Sequence, residues 1–163
     1  MGSPLPLAAT AAAPAPAANA NIAVGYLGAG KLFKRAPESK TEVHAAIVRG
    51  LPYSALVFFV AHLTELAPDE VIEAAGISPR TLRRQKDTPS KTMPVELGSR
   101  TWMLAETLAK ASAVFGGREA AERWMARPAL GLDGHRPIEL LRTGQGAELV
   151  NEFLDRLEHG VYN

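Results

Sequence analysis

The fold is decided by residues 68–86, which read PDEVIEAAGISPRTLRRQK. Proline and two acidic residues suit the first turn of a helix, because proline has no N–H to lose there and acids favour the positive end of the helix dipole. Gly76 ends this helix, and Ser78–Pro79 begins another as N-cap and first helical residue. The spacing therefore predicts two short helices that meet at a tight turn and are locked together by Ile77 and Leu82.

The second helix of this pair concentrates positive charge. Residues 78–91 contain five Lys/Arg and one Asp, a local net charge of +4. One interpretation is a solvated basic helix in an ordinary bundle, and the other is a DNA-binding helix-turn-helix. The tight turn and the Ser-Pro cap favour the helix-turn-helix. The residues that we expect to contact bases or phosphates are Ser78, Arg80, Thr81, Arg83, Arg84 and Lys86.

The composition excludes several classes of protein. The 163 residues include no cysteine, which excludes a disulfide-stapled scaffold, a Cys-ligated zinc module and a thiol enzyme. The four histidines lie far apart in the chain and match no metal-binding or catalytic spacing. We therefore predict a protein without catalytic residues, metal or cofactor.

The first 30 residues contain no charged side chain, and residues 1–20 are mostly Ala and Pro. Residues 1–20 offer little surface to offset their ordering entropy, so we predict that they are disordered. Residues 21–40 either pack on the domain or stay loose, and we treat 1–40 as a disordered or loosely packed tail. A signal peptide is disfavoured, because its start lacks Lys and Arg and prolines interrupt the apolar run. No other apolar run is long enough to span a bilayer, and we expect a cytoplasmic protein.

Residues 25–31, GYLGAGK, fit the first seven positions of a phosphate-binding P-loop. The eighth position is Leu32, where Ser or Thr should bind magnesium, and no alternation of strand and helix follows. A nucleotide-binding enzyme is thus a weak hypothesis, and a glycine-rich linker is the better interpretation.

From residue 41 onward the apolar residues recur at helical spacing almost throughout, which predicts an all-α fold. The clearest stripes are a long helix that ends at Gly116–Gly117 and a last helix over residues 145–158. We divide the chain into a tail at 1–40, a helix-turn-helix and dimerisation domain at 41–99, and a C-terminal helical domain at 100–163.

The last segment is acidic, since residues 137–163 carry a net charge of −3. The chain ends in residues 159–163, HGVYN. Either Tyr162 folds back on the core, or the end projects toward a partner. From the residues alone, folding back or fraying is favoured.

Residues from about 43 to the end resemble the MbcA/ParS/Xre antitoxins, specifically Xre antitoxins paired with RES-domain toxins in bacteria. The most diagnostic blocks are PALG at 128–131 and GVY at 160–162. The matching blocks in chain order are residues 49–52, 75–84, 114–116, 120–124, 128–131, 137–141 and 156–162.

The resemblance implies an antitoxin that represses its own operon by binding operator DNA as a homodimer. It also implies that the C-terminal domain binds a RES-domain toxin, a class that is similar to ADP-ribosyl transferases and depletes NAD. The antitoxin is expected to occlude the toxin's active site with its C-terminal end. Carried onto this chain, the toxin-binding residues are Arg156, His159, Gly160, Val161, Tyr162 and Asn163.

Two features depart from the family pattern. Residues 132–136 form an extra loop before Pro137, which is expected to alter toxin contacts, and the Ala/Pro-rich tail has no counterpart. The alternative function is a stand-alone helix-turn-helix transcription regulator whose C-terminal domain binds another partner or a ligand.

Overall fold

A computed structural model describes residues 16–160. Within this range the chain forms nine α-helices and a short 3₁₀ helix, so the all-α prediction is confirmed. The α-helices are α1 (Pro16–Tyr26), α2 (Lys40–Arg49), α3 (Tyr53–Ala61), α4 (Pro68–Ala74), α5 (Pro79–Arg84), α6 (Val95–Phe115), α7 (Arg118–Met125), α8 (Pro137–Leu140) and α9 (Gly144–Glu158), and the 3₁₀ helix is Leu130–Leu132.

The 21-residue helix α6 is the centre of the fold, with α1, α2, α4, α7 and α9 in contact with it. Its apolar residues recur every three or four positions, so that Leu104, Ala105 and Leu108 all lie on the buried face. Gly116 ends the helix in the left-handed conformation at φ 84°, and its N–H donates to the Ser112 carbonyl. This confirms the long helix that the sequence predicted to end at Gly116–Gly117.

Helix α1 corrects the prediction for the N-terminal tail. Residues 16–26 are helical, and Ala20, Ala23 and Val24 are buried against the core. Small alanines let α1 lie close to α6, and the Tyr26 hydroxyl hydrogen-bonds Ser112 Oγ at 2.9 Å. The prediction of disorder was therefore wrong for residues 16–20, whereas residues 21–26 follow the alternative in which they pack on the domain. Residues 1–15 lie outside the described part of the chain.

The P-loop-like stretch ends a helix, whereas a P-loop begins one after a strand. Gly25 belongs to the last turn of α1, and the Ala29 N–H donates to the Val24 carbonyl at 3.0 Å. Gly28 has φ 58°, and a Cβ there would come within 2.8 Å of the Phe58 ring. The glycines thus serve a tight helix end over an aromatic ring, which counts against nucleotide binding.

The proposed boundary between residues 99 and 100 falls inside α6. The buried residues on both sides of it belong to one hydrophobic cluster, to which α3, α4, α7 and α9 all contribute. The two parts of the chain therefore share a core and a central helix, and a movement of one is resisted by the packing of the other.

Candidate functional site

Helices α4 and α5 meet at the turn that the sequence predicted. Gly76 has φ 89°, a left-handed conformation that favours glycine, and the Ile77 N–H reaches back to the Ile72 carbonyl at 3.4 Å. Leu82 is 3% exposed and anchors α5 on the core.

The start of α5 is fixed by its cap. Ser78 Oγ accepts a hydrogen bond from the Thr81 N–H at 3.1 Å, and the two hydroxyl groups lie 2.8 Å apart. Pro79 occupies the first helical position, where no N–H is needed. Ser78 and Thr81, which we expected to contact DNA, therefore also hold the helix end in shape.

The basic side chains of α5 project into solvent. Arg80, Arg83, Arg84 and Lys86 are all exposed. No ion pair within residues 16–160 involves any of these four side chains. Cations that are exposed and have no acidic partner remain available to bind phosphate or base edges. The structure thus brings Arg80, Thr81, Arg83 and Arg84 together on one short helix, with Ser78 as its cap and Lys86 just after its end.

At the other end of the chain, α9 spans Gly144–Glu158, close to the predicted 145–158. Arg156 is exposed, and its guanidinium lies 5.8 Å from the Phe153 ring centroid. The exposed His159 donates from Nδ1 to the Asp155 carbonyl at 2.7 Å, and Gly160 has φ 68°. These residues cap the helix without entering the core.

The remaining three candidate toxin-binding residues, Val161, Tyr162 and Asn163, lie outside the described part of the chain. The acidic character of the segment is visible on α9, where Glu148 and Glu152 are exposed. Asp155 instead pairs with Lys110 Nζ at 2.6 Å, which ties α9 to α6.

A buried carboxylate that sequence reasoning missed joins the C-terminal part to the start of α4. Glu122 on α7 is fully buried, and its Oε2 accepts hydrogen bonds from the N–H groups of Thr64 and Glu65, each at 2.8 Å. Its Oε1 accepts from Arg118 Nε at 2.9 Å. Burial opposes ionisation, but these hydrogen bonds outweigh it and hold the pKa of Glu122 below its ordinary value of 4.5.

Arg118 completes this arrangement. Its guanidinium stacks over the Tyr26 ring at 4.5 Å from the centroid, so α1 also contributes to the site. The only visible trace in the sequence was the i, i+4 spacing of Arg118 and Glu122, which is common on solvated helices. The loop before α4, whose N–H groups donate to Glu122, is distant from Glu122 in the chain.

Arg136 makes a second connection to α4. Its Nη1 and Nη2 donate to the two carboxylate oxygens of Glu70 at 2.7 and 2.9 Å. These hydrogen bonds lower the pKa of Glu70 and raise that of Arg136. Its Nε donates to the Ala126 carbonyl at 2.8 Å. The last residue of the extra loop at 132–136 therefore has a partner inside the molecule.

A weaker ionic contact reinforces this connection: Arg142 Nη2 lies 3.1 Å from Glu73 Oε2. Within residues 16–160, no group of three or more histidine or acidic side chains is arranged to hold a metal ion. In the same part of the chain, none of the helices has both the length and the apolar character to cross a membrane.

Comparison with known proteins gives a family match over the C-terminal part of the chain. Residues 110–160 match the family described as the antitoxin Xre/MbcA/ParS C-terminal toxin-binding domain. The match covers α7, α8 and α9 and the end of α6, and so includes Glu122, Arg136 and Arg142.

Three curated relatives are each named antitoxin Xre. The one from Yersinia enterocolitica is 35% identical over 95 residues, which cover 58% of this chain and 64% of that protein. The one from Pseudomonas putida is 30% identical over 124 residues, 75% of this chain and 74% of that protein. The one from Photorhabdus laumondii is 27% identical over 124 residues, 76% of this chain and 82% of that protein.

The molecule is thus a small all-α protein with an exposed basic helix and an acidic C-terminal helix. With these relatives and the matched domain, the chain belongs to the Xre/MbcA/ParS antitoxin family, as the resemblance of its sequence indicated. The family identifies it as an antitoxin of a toxin–antitoxin pair.

Proposed function

We propose that this antitoxin neutralises a RES-domain, NAD-depleting toxin by occluding the toxin's active site with its C-terminal end. The observation that carries the proposal is the match of residues 110–160 to a toxin-binding domain, which includes His159 and reaches the first residue of the GVY ending. A pocket that binds the phosphates of NAD is expected to be basic, and the acidic residues 137–163 of this chain complement it. Tyr162 is suited to fill an aromatic-sized pocket at little entropic cost.

Truncation after Glu158 tests the occlusion. Because His159 hydrogen-bonds only within its own helical turn, the shortened chain should fold and melt like the full chain. NAD consumption by the purified toxin should then continue in the presence of the truncated antitoxin and stop with the full-length one. A chain of unchanged length with Gly-Ser residues at 159–163 is the control for length. If the truncated protein still stops NAD consumption, occlusion by the C-terminal end is wrong.

The second part of the proposal is that α5 binds operator DNA and represses the operon. The four exposed cations without acidic partners support it, together with the capped turn at Gly76. The proposal includes a cytoplasmic homodimer, because two helix-turn-helix units related by two-fold symmetry match a palindromic operator. Sedimentation at twice the monomer mass, with and without operator DNA, tests the dimer.

Replacing Arg83 and Arg84 by Ala tests the DNA contact. If both contact phosphates, operator affinity falls and the slope of log K against log salt decreases by about 1.8, since each phosphate contributes about 0.9. Arg49 and Arg127 are exposed arginines outside α5, so their double replacement by Ala is the matched control. Unchanged affinity in the α5 variant would move recognition to another surface.

The alternative, a stand-alone regulator, rests on the exposed basic helix alone. Co-expression with the product of the neighbouring gene separates the two functions. Co-purification with a protein that consumes NAD supports the antitoxin, whereas operator binding without any such partner supports the regulator.

A further inference from the structure

Two large apolar side chains within residues 110–160 are turned out to solvent. Leu130 is 98% exposed and Leu149 is 52% exposed. Large apolar side chains usually find cover in a folded protein, and contiguous exposed ones mark interaction surfaces. The question is whether these two belong to one surface.

Phe153 connects them. Gly131, next to Leu130, lies so close to the Phe153 ring that a Cβ there would overlap it. Leu149 is one helical turn before Phe153 on α9, on the same face. Leu130 is therefore next in the chain to a residue at this ring, and Leu149 is one helical turn from it.

Phe153 belongs to a row of half-buried rings. Trp124 stacks on it with a centroid distance of 6.0 Å and an interplanar angle of 7°. Phe115 lies 5.0 Å from Trp124. We call Phe115, Trp124 and Phe153 the aromatic platform. Trp124 and Phe153 are stacked, whereas Phe115 and Trp124 are tilted by 32°. Because the rings are half-buried and packed on one another, a partner that docks on them loses little entropy in ordering them.

Leu130 lies in a loop that internal hydrogen bonds hold in place. The Ala129 N–H donates to the His135 carbonyl at 3.0 Å, and the Gly134 N–H donates to the Ala129 carbonyl at 2.9 Å. Leu132 is 6% exposed and anchors the loop in the core. Leu130 is therefore the large apolar side chain that this loop presents to solvent, beside the exposed polar residues Asp133 and His135.

Charge indicates the kind of partner. Glu148 and Glu152 border Leu149 on the exposed face of α9. No ion pair within residues 16–160 includes either of them. Arg156 lies over the Phe153 ring, but with Glu148 and Glu152 this face of α9 still has a net negative charge, which disfavours a second copy. A different protein with an apolar cleft and a Lys/Arg rim complements the surface.

We infer that Leu130 and Leu149, beside the aromatic platform, form a docking surface for the toxin that is separate from the C-terminal end. The inference rests on the proposed function, and the whole surface lies within the matched toxin-binding domain. The docking surface supplies affinity, and residues 159–163 supply the block. Loss of the surface therefore weakens binding, whereas loss of the end leaves a bound but active toxin.

Leu130→Ser and Leu149→Asp test the surface. Val48→Asp is the matched control, because Val48 is also 52% exposed but lies on α2, outside the toxin-binding domain. Calorimetric titration of the full-length protein with purified toxin should show a dissociation constant about 10- to 100-fold higher for each leucine variant, as for other interface anchors. The control should stay within about twofold of wild type, since surface changes away from an interface cost little.

Each outcome decides a different point. If the wild type does not bind toxin, the proposed function fails. If the wild type binds and both leucine variants bind equally well, only the docking surface is wrong. Thermal melts and operator binding should be unchanged in Leu130→Ser, because the side chain is almost fully exposed. If a leucine variant instead dissociates a dimer without weakening toxin binding, the surface belongs to a second copy and the inference is overturned.

Discussion

The helix pair α4–α5 and the C-terminal helix α9 obtain their rigidity in different ways. Helices α4 and α5 have seven and six residues, and α5 buries only Leu82. Helix α9 has 15 residues and buries four of them, including Val150 and Leu154. Isolated helices shorter than about 12 residues are marginal in water. The helix pair therefore depends on contacts from elsewhere, whereas α9 is held by its own apolar face.

Helix α4 packs on α3 and α6 through Val71, Ile72 and Ala74, and the toxin-binding domain adds polar contacts. Glu122 holds the loop before α4, and Arg136 and Arg142 bind Glu70 and Glu73 on α4 itself. The part of the chain that faces DNA in our proposal is thus positioned by the part that faces the toxin. The predictions below test how much of the helix pair's stability is supplied in this way.

Glu122→Ala should have the largest effect. It removes an acceptor for buried N–H groups and leaves the Arg118 charge without its partner, which costs about 3 to 5 kcal/mol for buried pairs. Urea denaturation measures the loss in the free energy of unfolding. Glu119→Ala on the same helix, an exposed position, should change it by less than about 0.5 kcal/mol. Equal effects for the two variants would mean that the carboxylate does not hold α4.

Gly146→Ala should have the next largest effect and test α9. A Cβ at Gly146 would overlap the Leu140 carbonyl, so α9 would have to move away from the end of α8 at a cost of about 1 to 3 kcal/mol. Gly144→Ala, in the same helical turn, meets open space and should be neutral or slightly stabilising. Thermal unfolding of both variants measures the difference. A stable Gly146→Ala would show that α9 does not require the close approach.

Prediction from the sequence succeeded for the α4–α5 pair and failed for helix α1 and for Glu122. The turn at Gly76, the cap at Ser78 and the anchor Leu82 were predictable, because a local rule fixes each of them. Helix α1 was missed, because an almost uniformly apolar Ala-rich stretch has no polar face to reveal its period. The role of Glu122 was missed, because its partners are backbone N–H groups more than 50 residues away.

Acid should weaken the attachment of α4 through Glu122. A carboxyl whose pKa is lower in the folded than in the unfolded protein stabilises the fold fully above the unfolded value, near 4.5 here, and loses this stabilisation as the pH falls through its folded pKa. Stability measured by denaturation from pH 6 downward should therefore decline less steeply in Glu122→Gln than in the wild type. Parallel curves would contradict an ionised Glu122.

Arg136→Gln should have a smaller effect than Glu122→Ala or Gly146→Ala, because its pair with Glu70 is partly exposed. The side chains of Arg136 and Glu70 are 28% and 30% exposed, against 48% and 52% for Arg142 and Glu73. Solvent screens the more exposed pair, so we expect a loss of about 1 kcal/mol for Arg136→Gln and less than about 0.5 kcal/mol for Arg142→Gln. If α4 is positioned by Arg136, hydrogen exchange of the α4 and α5 amides should also speed up in Arg136→Gln, while that of α9 stays unchanged. If protection of the α4 and α5 amides is the same in the variant as in the wild type, the α4–α5 pair holds its position without Arg136.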